Sequence, residues 1–301
     1  MEDNCVVLAE TEQASQMKIL FEILKDILVD APIEFIKDMS KININDKEDE
    51  ENEEKEEKDE KKNDSNGCIR IISVDQKKVL IMCVLLEGRK FTKFRCKNDN
   101  FIAGVCLEDL YKLVKSSSKS DNMVMYVDEM SIDKLSFMFS NQEKNKISKA
   151  SLNLLDIDKL HIPLTIVCDV AITMNASDFR DICKEMSNIT QDLEILCTRK
   201  SITFVGKGDS SKQEITYHTN ENTGLKIKMN SDVKNPIVQG IYPLRYLLTI
   251  SKCANICKFA ILRMKNRNPL FIEYSVATLG SIRVAITPKI RPQLDDNEKE
   301  E

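Results

Sequence analysis

Leu107-Glu108-Asp109-Leu110-Tyr111-Lys112-Leu113-Val114-Lys115 carries the clearest periodic signal in the chain. Its apolar residues at 107, 110, 111 and 114 share one face of a helix, the spacing of an amphipathic surface helix. The flanking stretches read as short strands. Ile33–Ile36, Ile69–Val74, Val79–Leu86 and Lys90–Arg95 come before it, with turn residues Asp75-Gln76 and Glu87-Gly88 between neighbours. Met123–Val127, Leu135–Phe139 and Ala150–Leu155 follow it. An earlier helix takes Ser15 as its cap, turns Met17, Leu20, Phe21, Leu24 and Leu28 inward, and closes at Pro32.

The second half repeats this order. A strand at Ile166–Thr173 leads into a helix capped by Asn175, with Phe179, Ile182, Met186 and Ile189 apolar. Strands follow at Leu193–Cys197, Ile202–Gly206, Glu214–Thr219, Leu225–Met229 and Val238–Ile241. Pro243 suits the first position of a fourth helix, continued by Leu244, Leu247 and Leu248. Phe259–Met264, Leu270–Ser275 and Gly280–Ile286 complete the half. Two helices amid about seven to nine mostly antiparallel strands, twice over, predict a duplicated α+β fold and not an alternating βαβ one. The expected units are an N-terminal domain at 1–153, a connector at 154–165, a C-terminal domain at 166–290 and an acidic tail at 291–301.

The chain has 301 residues, with 44 Lys and Arg against 49 Asp and Glu, for a net charge of −5. That balance argues against a phosphate-rich partner until the charge is located. Asp46–Lys62 holds eleven acids and five lysines, −6, and Asp295–Glu301 contributes −4, so the remainder of the chain carries +5. The insert, about 43–66, interrupts what would be a hairpin and is too charged to bury apolar area, which predicts disorder there. The longest apolar run, Val79–Leu86, is far shorter than the ~20 residues that span a bilayer. Met1-Glu2-Asp3-Asn4 has no basic leader character. Ten cysteines without a CxxC pattern point to reduced thiols and a nuclear or cytosolic setting.

Catalysis finds little footing. His161 and His218 are the only imidazoles, Gly206-Lys207-Gly208-Asp209 lacks the Walker spacing and reads as a hairpin turn, and Cys253 and Cys257 have no second pair to complete a metal site. No cofactor, metal or catalytic residue is expected. The polar faces of the helices are more informative. Lys18 with Lys25, Lys112 with Lys115, Arg180 with Lys184, and Arg245 with Lys252 put two basic residues on each, interleaved with Glu22, Glu108 and Asp181.

Four blocks, in order, resemble the proliferating cell nuclear antigen family, the DNA sliding clamps of eukaryotes, archaea and large DNA viruses. The first is Phe94-Arg95-Cys96, Ala103-Gly104-Val105 and Leu107 to Lys115. The others are Phe179 to Ser187, Leu244-Arg245-Tyr246-Leu247 with Lys252, and Pro269-Leu270, Glu273-Tyr274 and Pro288-Lys289-Ile290. The resemblance implies a non-enzymatic processivity factor for replication and repair. Two similar domains per subunit would close head to tail as a homotrimer around double-stranded DNA, without reading sequence, in a nucleus or at a viral replication site. It implies strand pairing between subunits near Leu135–Phe139 and Glu214–Thr219. Lys18, Lys25, Lys112, Lys115, Lys184, Arg245 and Lys252 would line the channel; Ile19 and Asp181 stand where the family usually has basic residues.

The resemblance also implies a groove beside the connector. Its residues would be Val74, Val79 and Ile81, then Leu160, Ile162 and Pro163, then Pro269, Ala285, Thr287 and Pro288. It would receive short glutamine and hydrophobic–aromatic motifs carried by a DNA polymerase, ligase or nuclease, with a clamp loader as a further partner. Ala285 replaces a common tyrosine, Val74 a methionine, and the connector is about two residues short of the family pattern. The alternative is a clamp-fold paralogue without ring closure, acting as a transcription or assembly accessory subunit.

Overall fold

The apolar periodicity becomes helices, and the short alternating runs become strands, in an order that is the same in both halves. The computed structural model describes residues 4–41, 66–158, 160, 166, 168–219, 224–230 and 237–289. Residues 43–65 of the acidic insert, the acidic tail, Ile162 and Pro163 lie outside the described residues. The first half runs β1 (Cys5–Thr11), α1 (Ala14–Ile27), β2 (Asp30–Ile36), β3 (Cys68–Val74), β4 (Leu80–Glu87), β5 (Lys93–Cys96), β6 (Asn100–Cys106), α2 (Leu107–Val114), β7 (Asn122–Asp128), β8 (Ser131–Asn141) and β9 (Lys146–Asn153). The second runs β10 (Val170–Asn175), α3 (Ala176–Met186), β11 (Asp192–Cys197), β12 (Ser201–Lys207), β13 (Lys212–His218), β14 (Lys226–Met229), β15 (Val238–Pro243), α4 (Leu244–Ile250), β16 (Phe259–Met264), β17 (Leu270–Val276) and β18 (Gly280–Ile286). Among the described residues, none of the helices is long and apolar enough to cross a membrane.

The pairings repeat as faithfully as the order. In the first half β1 pairs with β5 and β7, β2 with β3 and β6, β3 with β4, and β8 with β7 and β9, all antiparallel. In the second half β10 pairs with β14 and β16, β11 with β12 and β15, β12 with β13, and β17 with β16 and β18. One further pairing joins the halves. β18 lies antiparallel to β4, with Ile282 opposite Val84 and Val284 opposite Met82. The result is a nine-stranded sheet, β14-β10-β16-β17-β18-β4-β3-β2-β6, flanked by β5-β1-β7-β8-β9 and β13-β12-β11-β15.

The helices fill the space these sheets leave. Met17, Leu20, Phe21 and Leu24 of α1, Leu107, Leu110 and Val114 of α2, Phe179, Ile182 and Met186 of α3, and Leu244, Leu247 and Ile250 of α4 are all buried in one cluster spanning both halves. Each such side chain stabilises by roughly 1.5–3 kcal/mol on burial. α1 packs on α2 and on α4, and α3 packs on α4, so the helices form one continuous row. β9 and β13 contrast with this interior. Both are sheet edges, and neither contains a buried residue.

Several local expectations are corrected. β1 and β6 are strands the pattern did not reveal: Cys5–Thr11 is apolar on both faces because both are covered, and Asn100–Cys106 is broken by Ala103-Gly104. α1 begins after Gln13, whose amide is held by the Thr11 hydroxyl at 3.0 Å, while the Ser15 hydroxyl turns to Gln16. Pro32 lies inside β2 opposite Gly104 instead of closing the helix, which ends at Ile27. Asn175 occupies the cap position of α3 but donates to Asp178 and makes no side-chain cap bond. Pro243 precedes α4 by one residue. The strand expected at Ile166–Thr173 begins at Val170. Leu135–Phe139 lies in β8, already paired on both sides; the free edge is β9.

Gly104 shows how the connector is seated. The Leu155 amide donates to the Gly104 carbonyl at 2.8 Å, and a Cβ on residue 104 would stand 2.2 Å from the Leu155 carbonyl oxygen. Backbone cannot yield as a side chain can. Gly104→Ala is therefore expected to lower the unfolding free energy by about 1–3 kcal/mol through overpacking. A urea titration with an unchanged midpoint would contradict this.

Candidate nucleic-acid interface and partner groove

Amphipathic periodicity puts the basic residues on the outer faces of the helix row, yet their environments differ. On α1, Lys25 pairs with Asp26 and its ammonium lies 5.1 Å from the centre of the Tyr111 ring on α2. Lys252, in the 3-10 turn Ser251–Asn255 that extends α4, reaches across the domain junction to Asp26 at 2.5 Å and Glu22 at 3.5 Å. Burial pushes the Asp26 carboxyl up, but its hydrogen bonds from Lys25 and Lys252 outweigh this and hold it below the ordinary value. The Asp26 bond raises the Lys252 ammonium in turn.

On α2, Lys112 bonds Asp109 at 3.0 Å and Glu108 at 3.3 Å, an exposed arrangement that contributes little to stability. Lys18 donates to the Ser117 carbonyl at 3.4 Å and so sits beside the turn that ends α2. Lys115 and Lys184 are exposed and form no ion pair among the described residues. Arg180, which the sequence places on the same stripe as Lys184, bonds Asp181 at 3.1 Å. Arg245 stands apart from the lysines: its guanidinium stacks 4.3 Å from the centre of the Tyr246 ring.

The groove residues come together through sheet register. Val74 of β3 is opposite Ile81 of β4, Ile81 is opposite Ala285 of β18, and Ala285 is opposite Phe271 of β17. Directly opposed residues share a sheet face, so these four form one row across the junction. Phe271 was not legible in advance, because only register places it there. Thr287 donates its amide to the Val79 carbonyl at 2.9 Å, which brings Thr287 and Pro288 beside the start of β4. Pro269 sits at the head of β17, and Leu160 in the connector is 40% exposed.

A cavity of about 490 Å³ is lined by Val79 at the start of β4, by Pro243, Leu244, Arg245, Tyr246 and Leu248, and by Asp192 and Lys289. Asp192 and Lys289 are 2.6 Å apart. Asp75, read from sequence only as a turn residue, organises this wall. Its carboxylate accepts the amides of Val79 and Leu80, each at 2.7 Å, and of Lys77 at 3.2 Å, and it also accepts the Tyr246 hydroxyl. The signal was present as the capacity of Asp to bind its own turn; the partner on α4 was not. Among the described residues no group of three His, Cys, Asp or Glu is placed to hold a metal ion.

Family models match both halves: proliferating cell nuclear antigen, N-terminal domain, over residues 58–161, and its C-terminal domain over residues 165–289. A probable DNA polymerase sliding clamp of Acanthamoeba polyphaga mimivirus is 31% identical over 299 residues, covering 95% of this chain. The chain spans 62% of that viral protein, less than two thirds of its length. The proliferating cell nuclear antigen of Caenorhabditis elegans is 24% identical, with 96% of this chain and 98% of the relative covered. The crystal structure of the Entamoeba histolytica antigen superposes with a TM-score of 0.76 at 21% identity, over 95% of this chain and all of that one. The chain belongs to the proliferating cell nuclear antigen family, the DNA sliding clamps. It is a non-catalytic member of the replication machinery and not an enzyme.

Asp75 supplies a test with a definite sign. Burial raises its carboxyl, but the Tyr246 hydroxyl and three backbone amides outweigh this and hold it below the ordinary 3.8. A carboxyl lowered in the fold stabilises above its unfolded value, and that contribution is lost as pH falls through the folded one. Asp75→Asn should cost about 1.5–3 kcal/mol near neutral pH and less at about pH 3, read by urea unfolding. Equal losses at the two pH values would overturn the assignment.

Proposed function

We propose that the chain closes head to tail with two further copies into a ring around duplex DNA, as a processivity factor with a docking groove on its outer face. The internal repeat carries this reading. β18 is the counterpart of β9, and β4 is the counterpart of β13, in an otherwise matching set of pairings. The β18–β4 junction within the chain is thus the pattern for a β9–β13 junction between copies. Both of those strands are unpaired on one side and uncovered. A heterologous contact of this kind must close or grow into a filament, and closure protects edges prone to aggregation.

Charge supports the same pairing. β9 carries Lys146 and Lys149, while α3 beside β13 carries Asp178, Asp181 and Glu185. Tyr217 of β13 is raised by burial first and then by these three carboxylates. In this reading 1–153 and 166–290 are the two clamp domains, 154–165 the connector and 291–301 a tail. The helix row faces the duplex, and basic residues on it touch phosphates without reading bases. The row of Val74, Ile81, Ala285 and Phe271 forms the floor for short glutamine and hydrophobic–aromatic motifs of a polymerase, ligase, nuclease or clamp loader, in a nucleus or at a viral replication site.

Light scattering should give the mass of three subunits, and Ile147→Asp on the β9 edge, where Ile147 is 68% exposed, should shift it to one. A monomeric wild type would favour the accessory-subunit alternative without ring closure. Ile81→Asp should leave the mass unchanged and weaken a synthetic glutamine and aromatic peptide at least tenfold, about 1.4 kcal/mol, measured by calorimetry. Unaltered peptide affinity would remove the groove assignment.

A further inference from the structure

The cations on the helix row fall into two environments. Lys25 and Lys252 are held by Glu22 and Asp26 in a cluster with two charges of each sign that ties α1 to the end of α4. Tyr111 closes this cluster from α2, its hydroxyl raised by burial and then by Glu22. Lys18 bonds the Ser117 carbonyl, which sets it beside the turn at the end of α2 that carries Lys115 and Lys119. The acid of that turn, Asp121, is engaged by Ser118 and Asn141.

We propose that Glu22 and Asp26 are fixed counter-charges in the channel: they hold Lys25 and Lys252 away from phosphates, so that each subunit touches the duplex through Lys18, Lys115 and Lys119 and through Lys184. This rests on the ring reading above. A lysine already neutralised by a carboxylate presents little net positive charge to a phosphate, so its approach displaces few of the cations condensed on the duplex. The neutral cluster sits at the domain junction, so contact with DNA is concentrated at separate basic bands with an uncharged stretch between them. Glu22 and Asp26 act as positioning residues through the lysines they bind.

The test uses the full chain and a short, fluorescent, blunt-ended duplex that can enter the ring without a loader. The slope of log affinity against log salt counts the phosphates neutralised, about 0.9 per lysine engaged. Glu22→Gln with Asp26→Asn should steepen the slope by about 0.9 for each lysine released, and an unchanged slope in an intact ring would overturn the proposal. Lys115→Gln with Lys184→Gln should make it shallower by a similar step per lysine. Should the acid variant fail to assemble, lysine footprinting by reductive methylation of the wild-type ring decides. The duplex should protect Lys18, Lys115, Lys119 and Lys184 and leave the slow reaction of Lys25 and Lys252 unaltered; equal protection of Lys25 and Lys115 would refute it. A wild type that forms no ring, or binds the duplex without salt dependence, removes the sliding-clamp reading itself and not the counter-charge assignment alone.

Discussion

The antiparallel contact of β18 with β4 is the constraint on which the rest of the molecule depends. It converts two similar sheets into one sheet of nine strands, and places Met82 and Val84 opposite Val284 and Ile282 in a continuous core. Neither strand could remain bare, since each would present unpaired backbone and apolar side chains at an edge. Locking the halves this way also fixes the helices: α1 and α4 belong to different halves, yet they touch, and only that contact makes the four helices a single row.

The same junction explains why the groove is built from both halves. Its floor crosses from β3 and β4 to β18 and β17 along one line of opposed residues. The turn that begins β4 is fastened to α4 through Asp75 and Tyr246, so the wall of the cavity is braced against the floor of the groove. On the reading proposed above, a peptide docked on that row meets a surface set by register, and not a loop that orders on contact. The cost of binding is lower for such a prearranged surface.

Much of this was legible in the sequence because two of its periodicities are strong. Leu107, Leu110 and Val114 announce a helix face wherever they occur, and β4 and β17 alternate as half-buried strands should. Other features depend on what covers an element. β1 is buried on both faces and so loses alternation, and β6 contains the glycine that lets the connector approach. The free sheet edge was misplaced by one strand for a related reason: Leu135–Phe139 has the stronger apolar pattern since β8 is paired on both sides and buries one face, whereas the strand that ends the sheet, β9, is polar and uncovered. Apolar pattern marks burial within the chain, and an edge that awaits a partner is where that signal is weakest.

Charge was legible in the same partial way. Setting the acidic segments aside gives the remainder a net +5, and four helices each show a basic pair. Net charge cannot say which cations are available to a partner. Glu22 and Asp26 lie one turn apart on α1, which sequence shows, but Lys252 lies more than two hundred residues away and meets them only because the halves are joined. A clamp can tolerate such internal neutralisation where an ordinary DNA-binding protein could not. Retention on DNA by ring closure does not require tight contact, and every phosphate contact given up lowers the electrostatic hold that opposes movement along the duplex.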